Sequence, residues 1–272
     1  MFSIDHENEI KTYCLVIRNF LNYVLQHAVC PEYTEDLMAA RKICDLAEKE
    51  LWAIKQLSLK LPGDFNVAAS TLYGGRYREY HLNTQAWNLD DPDFQDYAST
   101  NPGFSDMEAE RIFKTAVAFA GDDSLFLSAM KADINIVKTE RKFYEVVEIE
   151  RPSIKTSEEY ASVKNSNGET GYIKALGVVR FKAWEGPGLD VEDLTDDEDA
   201  VIEGANVEDT HLESFWLEDE ILELCFVGLK LEVVVHELNI GIKFFDTIAG
   251  LHCSFHVFLP NEKMVHWKEP GK

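Results

Sequence analysis

No run of about 18 apolar residues occurs anywhere in the 272-residue chain, so a membrane-spanning helix is not expected. The start, Met1 to Glu7, has no basic stretch followed by an apolar one, so no leader is expected there. Five cysteines, Cys14, Cys30, Cys44, Cys225 and Cys253, are an odd number, and no two stand two to four residues apart. That spacing argues against a zinc ribbon or a disulfide framework, and predicts a soluble intracellular protein in a reducing compartment. Gly74-Gly75 and Gly186-Pro187-Gly188 lack the following Lys-Ser or Lys-Thr of a phosphate-cradling loop, and no Gly-x-Ser-x-Gly elbow exists. Positive charge is scarce: 26 Lys plus Arg face 49 acids, a net −23. Such a surface repels phosphate, so direct nucleic-acid binding is excluded by net charge and a basic partner is favoured.

What the chain has is globular composition, 46% hydrophobic with 11% aromatic, enough for one large domain or two small ones. Ile10, Tyr13, Cys14, Ile17, Leu21, Val24, Leu25 and Ala28 fall at helical spacing and predict a first helix. After Cys30-Pro31-Glu32-Tyr33, Thr34 is the expected cap of a second, with the stripe Leu37, Ala40, Cys44, Ala47, Leu51 and Ile54. Two long helices on a short loop make an αα-hairpin, which Leu61-Pro62-Gly63-Asp64 ends. From Phe65 to Phe104 periodicity is weak and turn residues abound, so irregular structure with short elements is expected. Ser105-Asp106-Met107-Glu108 is a capping box that opens a third helix, with Gly121 as its stop, and Asp122 or Asp123 is placed to cap a short fourth through Met130.

Beyond Lys131 the pattern turns to β-branched and aromatic runs: Ile134 to Val137, Phe143 to Ile149, Tyr172 to Trp184, Leu229 to His236, Ile240 to Phe245 and Leu251 to Leu259. Helices first and strands later predict a single α+β domain over residues 1–272. Its helical half is 1–130; its strand-rich half, 131–272, forms a mainly antiparallel sheet. Between Glu185 and Glu223 stand sixteen acids and no Lys or Arg, which leaves the rest of the chain at −7. Residues 185–223 are therefore expected to be an acidic, flexible insertion with interspersed hydrophobic residues, an interaction segment.

Candidate chemistry is thin. His252 and His256 lie four apart in an alternating run, and on an extended strand that puts them roughly 13 Å apart, too far for one ion. Asp90-Asp91-Pro92-Asp93 with a histidine such as His81 is a conceivable carboxylate site for a metal-dependent hydrolase, but a solvated turn explains the same residues. Cys14, Cys44 and Cys253 fall on apolar faces and read as inert core thiols. No cofactor or metal is expected. Thr195, flanked by Asp196, Asp197 and Glu198, is a candidate phosphorylation site. Asp190, Glu192, Asp193, Asp196, Asp197, Glu198, Asp199, Phe215 and Trp216 are the candidate partner-binding residues, with Trp216 as an exposed hook inside the acidic block.

Several strings carry a family likeness: Cys30-Pro31-Glu32-Tyr33, Ala39-Ala40-Arg41-Lys42-Ile43-Cys44-Asp45, Pro62-Gly63-Asp64-Phe65-Asn66, Gly168-Glu169-Thr170-Gly171-Tyr172-Ile173 and Phe258-Leu259-Pro260-Asn261-Glu262. They resemble the fungal Argonaute-binding protein family, which supplies a subunit of the Argonaute siRNA chaperone complex. The resemblance runs from Tyr13 to Trp267. It implies a non-enzymatic protein that holds Argonaute loaded with duplex siRNA, restrains passenger-strand release and supports small-RNA-directed heterochromatin. It also implies a second complex subunit as partner and a place in nucleus and cytoplasm. Family members often carry a basic N-terminal extension, whereas here the first helix begins almost at residue 1. An acidic chaperone for histones or other basic proteins shares the electrostatic logic and is the first alternative; the metal-dependent hydrolase is the second.

Overall fold

Helix α1 spans Glu7–Gln26 and turns Ile10, Cys14, Leu21 and Val24 inward. The computed structural model describes residues 6–78, 103–131, 133–163, 171, 173–186 and 212–257. After a 3-10 turn at Pro31–Tyr33, helix α2 spans Thr34–Lys60 and packs back on α1 as the hairpin that the two stripes predict. Arg18 ties the pair together, reaching Asp45 at 2.9 Å and Glu48 at 3.0 Å. Thr34 is not the cap: it is the first helical residue, and its hydroxyl donates to the Pro31 carbonyl at 2.8 Å.

The segment expected to be irregular with short elements opens with one of ten residues, helix α3 (Asp64–Tyr73). Phe65, Asn66, Ala68, Ala69, Ser70 and Thr71 are all buried, so α3 is enclosed on most sides and shows no amphipathic stripe to read. Residues 79–102 of that segment lie outside the described residues, His81 and Asp90 to Asp93 among them. Helix α4 (Asp106–Ala120) starts on the capping box, with the Glu108 carboxylate accepting from the Ser105 hydroxyl at 2.8 Å. Asp122 caps α5 (Asp123–Lys131) by accepting from the Leu125 N–H at 2.7 Å.

Five strands follow: β1 (Ile136–Glu150), β2 (Leu176–Ala183), β3 (Glu213–Glu218), β4 (Lys230–Leu238) and β5 (Lys243–His252). They form one antiparallel sheet in the order β3-β2-β1-β4-β5, so the architecture is α+β. The two runs from Ile134 and from Phe143 merge into the single strand β1, which bends at a bulge between Val146 and Glu148 where it pairs with β2. Helix α6 (Ile154–Ser162) and the short α7 (Asp219–Leu222) were not expected; α6 sits in the β1–β2 connection and follows its Ser153 cap.

Although β3 and β5 are the two edges of the sheet, they come together. Phe215 on β3 and Phe245 on β5 have ring centroids 5.6 Å apart, and Lys243 on β5 reaches Glu213 on β3 at 2.7 Å. The sheet curls around a core of Tyr144, Val146, Val179, Phe181, Leu217, Leu231 and Val233, the alternate residues of its strands. Leu57 of α2 joins that core. The opposite faces of β3 and β5 meet α3 and α4, where Phe65 stacks on Phe113 at 5.9 Å and meets Trp216 edge-on at 5.4 Å.

The acidic block therefore has to be redrawn. Residues 212–223 are not part of a flexible insertion: they form β3 and α7, and Phe215, Leu217, Ile221 and Leu222 are core residues. An alternating run within the block, Phe215-Trp216-Leu217-Glu218, has one side for each of the two cores, which composition alone does not reveal.

Candidate interaction surfaces

Helix α3 closes the seam between the two sheet edges, using side chains where two paired strands would use backbone. On the β5 side, Asn66 accepts from the Phe245 N–H at 3.1 Å and donates to the Pro62 carbonyl at 2.7 Å. On the β3 side, Glu218 Oε1 accepts from the Phe65 N–H at 2.7 Å. This satisfies the first turn of α3, whose cap position is Gly63 and has no side chain to do so. Gly63 sits at φ +91°, and an added Cβ there would lie 2.1 Å from Glu218 Oε2, so the carboxylate and the glycine require each other.

Further along α3, Asp246 accepts from the Ser70 hydroxyl at 2.8 Å and the Arg76 N–H at 2.7 Å, and lies 3.1 Å from His236 Nε2. His236 Nδ1 meets Thr139 Oγ1 at 2.9 Å. Ser70, Asp246 and His236 are the residue types of an acyl-transfer triad in the wrong order. The aspartate stands between serine and histidine, so no imidazole is placed to take the hydroxyl proton, and Ser70 has no exposed surface for a substrate to reach. The group is a structural network. Gly75 permits it, because a Cβ there would fall 2.3 Å from Ser70 Oγ and 2.4 Å from Asp246 Oδ2.

Beside the seam is a cleft of about 440 Å³ lined by Lys60, Pro62, Asp64, Ile112, Lys174 and Glu218. At its mouth Lys174 pairs with Glu220 at 2.6 Å and Asp64 at 3.0 Å. Glu218 lies at the back, 2% exposed, with Oε2 unpartnered. Burial pushes its carboxyl up to about 7, against the pull of the Phe65 N–H. The folded state thus favours the protonated acid between about 4.5 and about 7, so this group's contribution to stability falls as pH rises through that window and its penalty is complete above it. Glu218→Gln is expected to flatten the pH dependence by on the order of 3 kcal/mol between pH 5 and 8. Urea unfolding of both proteins at the two pH values checks this; an unchanged slope would place the titration elsewhere.

The histidine pair is also corrected. Strand β5 ends at His252, the chain then turns, and the rings of His252 and His256 come to 4.4 Å rather than to opposite ends of a strand. Trp184 packs against both rings, and Lys230 donates to the carbonyls of Ser254 and His256 at 3.3 and 2.9 Å. Burial, then His256 and Lys230, hold His252 below its ordinary pKa. A lysine ammonium anchored beside two imidazoles opposes a cation, and among the described residues no three His, Cys, Asp or Glu converge as metal ligands. Cys14, Cys44 and Cys253 are buried free thiols; burial pushes Cys253 up to about 11 and Cys225 to about 12, far from the thiolate that nucleophilic chemistry needs.

Of the residues expected to meet a partner, Asp190, Glu192, Asp193, Asp196, Asp197, Glu198 and Asp199, with Thr195, lie outside the described residues. Phe215 is 1% exposed and Trp216 is half-buried against Phe65, so neither is an exposed hook. The surface that sequence reasoning did not single out is the α1–α2 hairpin. Tyr13, Val16, Ile17, Phe20 and Tyr23 are each more than half exposed, and an apolar groove of about 330 Å³ runs between the helices. No helix among the described residues is long and apolar enough to cross a membrane.

Comparison with known proteins agrees with the resemblance. A family model described as the Argonaute siRNA chaperone (ARC) complex subunit Arb1 matches residues 1–270. Argonaute-binding protein 1 of Schizosaccharomyces pombe is 29% identical over 111 residues, which are 41% of this chain and 27% of that protein. The match thus spans about a quarter of the relative's length. No solved structure matches the chain. With nearly its whole length matched, the chain belongs to the family of Argonaute siRNA chaperone complex subunit Arb1.

Proposed function

We propose that this protein binds Argonaute as a non-catalytic subunit of an siRNA chaperone complex. In that role it holds Argonaute loaded with duplex siRNA, restrains release of the passenger strand and supports small-RNA-directed heterochromatin formation, in nucleus and cytoplasm and together with a second subunit. The observation that carries this reading is the family match over residues 1–270. Charge supplies the physical support. On the sheet, Arg180 pairs with Glu148 and Glu150, Lys182 with Glu145, and Lys142 and Lys243 with Glu213, so much of the body's charge is compensated. The excess is concentrated in the Asp190 to Asp209 stretch, which has ten acids and no base. Argonaute grips guide RNA through basic surfaces, and a dense acidic segment is steered to such a surface as a mimic of nucleic acid. Phosphorylation at Thr195 would add to that field.

Deleting Gly188 to Asp209 is expected to weaken Argonaute binding at least about tenfold at low salt and to flatten its salt dependence, as read by titration at several salt concentrations. Unchanged low-salt binding would refute the electrostatic part. The same net −23 favours a second reading, a chaperone for histones or other basic proteins. Parallel capture with Argonaute and with core histones separates the two: preference for Argonaute at physiological salt supports the first, and equal capture the second.

A further inference from the structure

Tyr13, Val16, Phe20 and Tyr23 recur on α1 at spacings of three and four, and all are more than half exposed, Phe20 at 63%. A stripe of this kind is a helix-packing seam that water leaves without a cover. Helix α2 carries a stripe of its own, Ala40, Ile43, Ala47, Glu50, Ile54 and Leu57. The body covers its second half: Leu57 is fully buried, Ile54 packs in the sheet core, and Glu50 accepts from the Ser254 N–H and hydroxyl at 2.9 and 2.7 Å. The first half lacks such a cover. Ile43 is 42% exposed and, with Tyr13 and Ile17, borders the groove whose lining includes the small residues Cys14, Ala40, Cys44 and Ala47.

We propose that this face is covered by the same face of a second copy of the chain, so that two hairpins pair antiparallel into a four-helix bundle. The face is self-complementary. A ridge of large side chains, Tyr13 and Phe20, runs beside a groove lined by small ones, and about a two-fold axis each copy's ridge enters the other's groove. The area is sufficient. Tyr13, Val16, Ile17, Phe20, Tyr23 and Ile43, between 42% and 63% exposed, offer roughly 700 Å² per copy, close to one side of a standard interface.

Charge does not oppose this pairing. Residues 7–60 hold eight acids and seven Lys or Arg, so the hairpin is nearly neutral, whereas the remainder carries 22 of the 23 net negative charges. Antiparallel pairing leaves the two bodies, each beyond the Lys60 end of its hairpin, at opposite ends of the bundle. From Thr34 to Glu50 alone α2 runs roughly 24 Å, about three Debye lengths at physiological salt, so repulsion between the bodies is screened.

Sedimentation equilibrium of the full chain at about 10 μM and ~0.15 M salt is expected to give twice the 31.0 kDa chain mass. Val16→Glu with Phe20→Glu is expected to give 31.0 kDa with unchanged helical circular dichroism, the dissociation constant rising at least about 100-fold. Ile154→Glu, at an 81% exposed site outside the hairpin, is expected to remain a dimer. A wild-type mass of 31.0 kDa under these conditions overturns the proposal, whatever else the face binds. A double variant that keeps its helical signal and stays dimeric also overturns it. Should that variant lose helix, the milder Phe20→Ser replaces it, and a dimer as tight as wild type again overturns the proposal.

Discussion

Phe215→Ala is expected to lower unfolding stability by about 3–5 kcal/mol and, for a chain of this size, the melting temperature by roughly 10 °C. The ring is 1% exposed and meets Tyr144 at 5.7 Å, Phe181 at 5.4 Å and Phe245 at 5.6 Å between centroids. Those partners come from β1, β2 and β5, so the ring helps to hold the two sheet edges together. Its removal leaves a cavity among the buried rings of Tyr144, Phe181 and Phe245, which the surrounding packed core fills only in part. Affinity for a partner, measured per folded molecule, is expected to stay within about threefold of wild type, because a core ring is not presented to one. Denaturant unfolding alongside binding below the melting point reads both quantities. Intact stability with lost binding would return Phe215 to the surface role that its acidic neighbours suggest.

Asp246→Ala is expected to cost about 4 kcal/mol. The substitution removes the acceptor for the Ser70 hydroxyl and the Arg76 N–H, together with the carboxylate 3.1 Å from His236 Nε2, and leaves buried donors without partners where α3 meets β5. Burial pushes the Asp246 carboxyl up, but hydrogen bonds from His236, the Arg76 N–H and Ser70 outweigh it and hold the group at about 2. A carboxyl depressed in the folded state contributes stability that is present above its unfolded pKa and is lost as pH falls through about 4 towards about 2. The acid limb of the wild-type stability curve should therefore be shallower in Asp246→Ala. Asp246→Asn keeps the shape and one acceptor oxygen, and is expected to fall between the two. Stability measured from pH 2.5 to 7 tests all three; a wild-type acid limb retained in the alanine variant would show that another group carries it.

The edge closure explains why α3 was illegible. Helices α1, α2 and α4 were readable because each has one wet face, and a wet face writes a 3.6-residue period into the chain. Helix α3 lies between a sheet seam and α4, and its polar residues Asn66 and Ser70 are turned inward to β5. Inward polar residues break the apolar stripe, so Asp64 to Tyr73 reads as turn-rich loop. In the sequence the string Pro62-Gly63-Asp64-Phe65-Asn66 reads only as a family likeness, and the fold supplies its physical reason: Gly63 gives Glu218 room, Phe65 lends it an N–H, and Asn66 satisfies the other edge.

The acidic block divides along the same line. Counting charges located the excess of acid, but charge density does not separate solvated carboxylates from Glu218, a buried acid that caps a helix 153 residues away in sequence. The histidine pair failed for a different reason. Alternation in Leu251 to Leu259 predicts an extended strand, and the chain instead turns after His252, where Lys230 donates to two carbonyls of the turn.

Periodicity, caps and composition are local quantities, and they suffice for the α+β class, the hairpin, the two capped helices, the strand-rich second half and the uneven charge, while the family likeness rests on the resembling strings alone. Long-range packing settles which acids are buried, that the edge strands meet over Phe215 and Phe245, that α3 closes the seam between them, and that half of the α2 stripe stays uncovered. Each of these depends on groups far apart in the chain arriving at one place, where desolvation and hydrogen-bond satisfaction are settled.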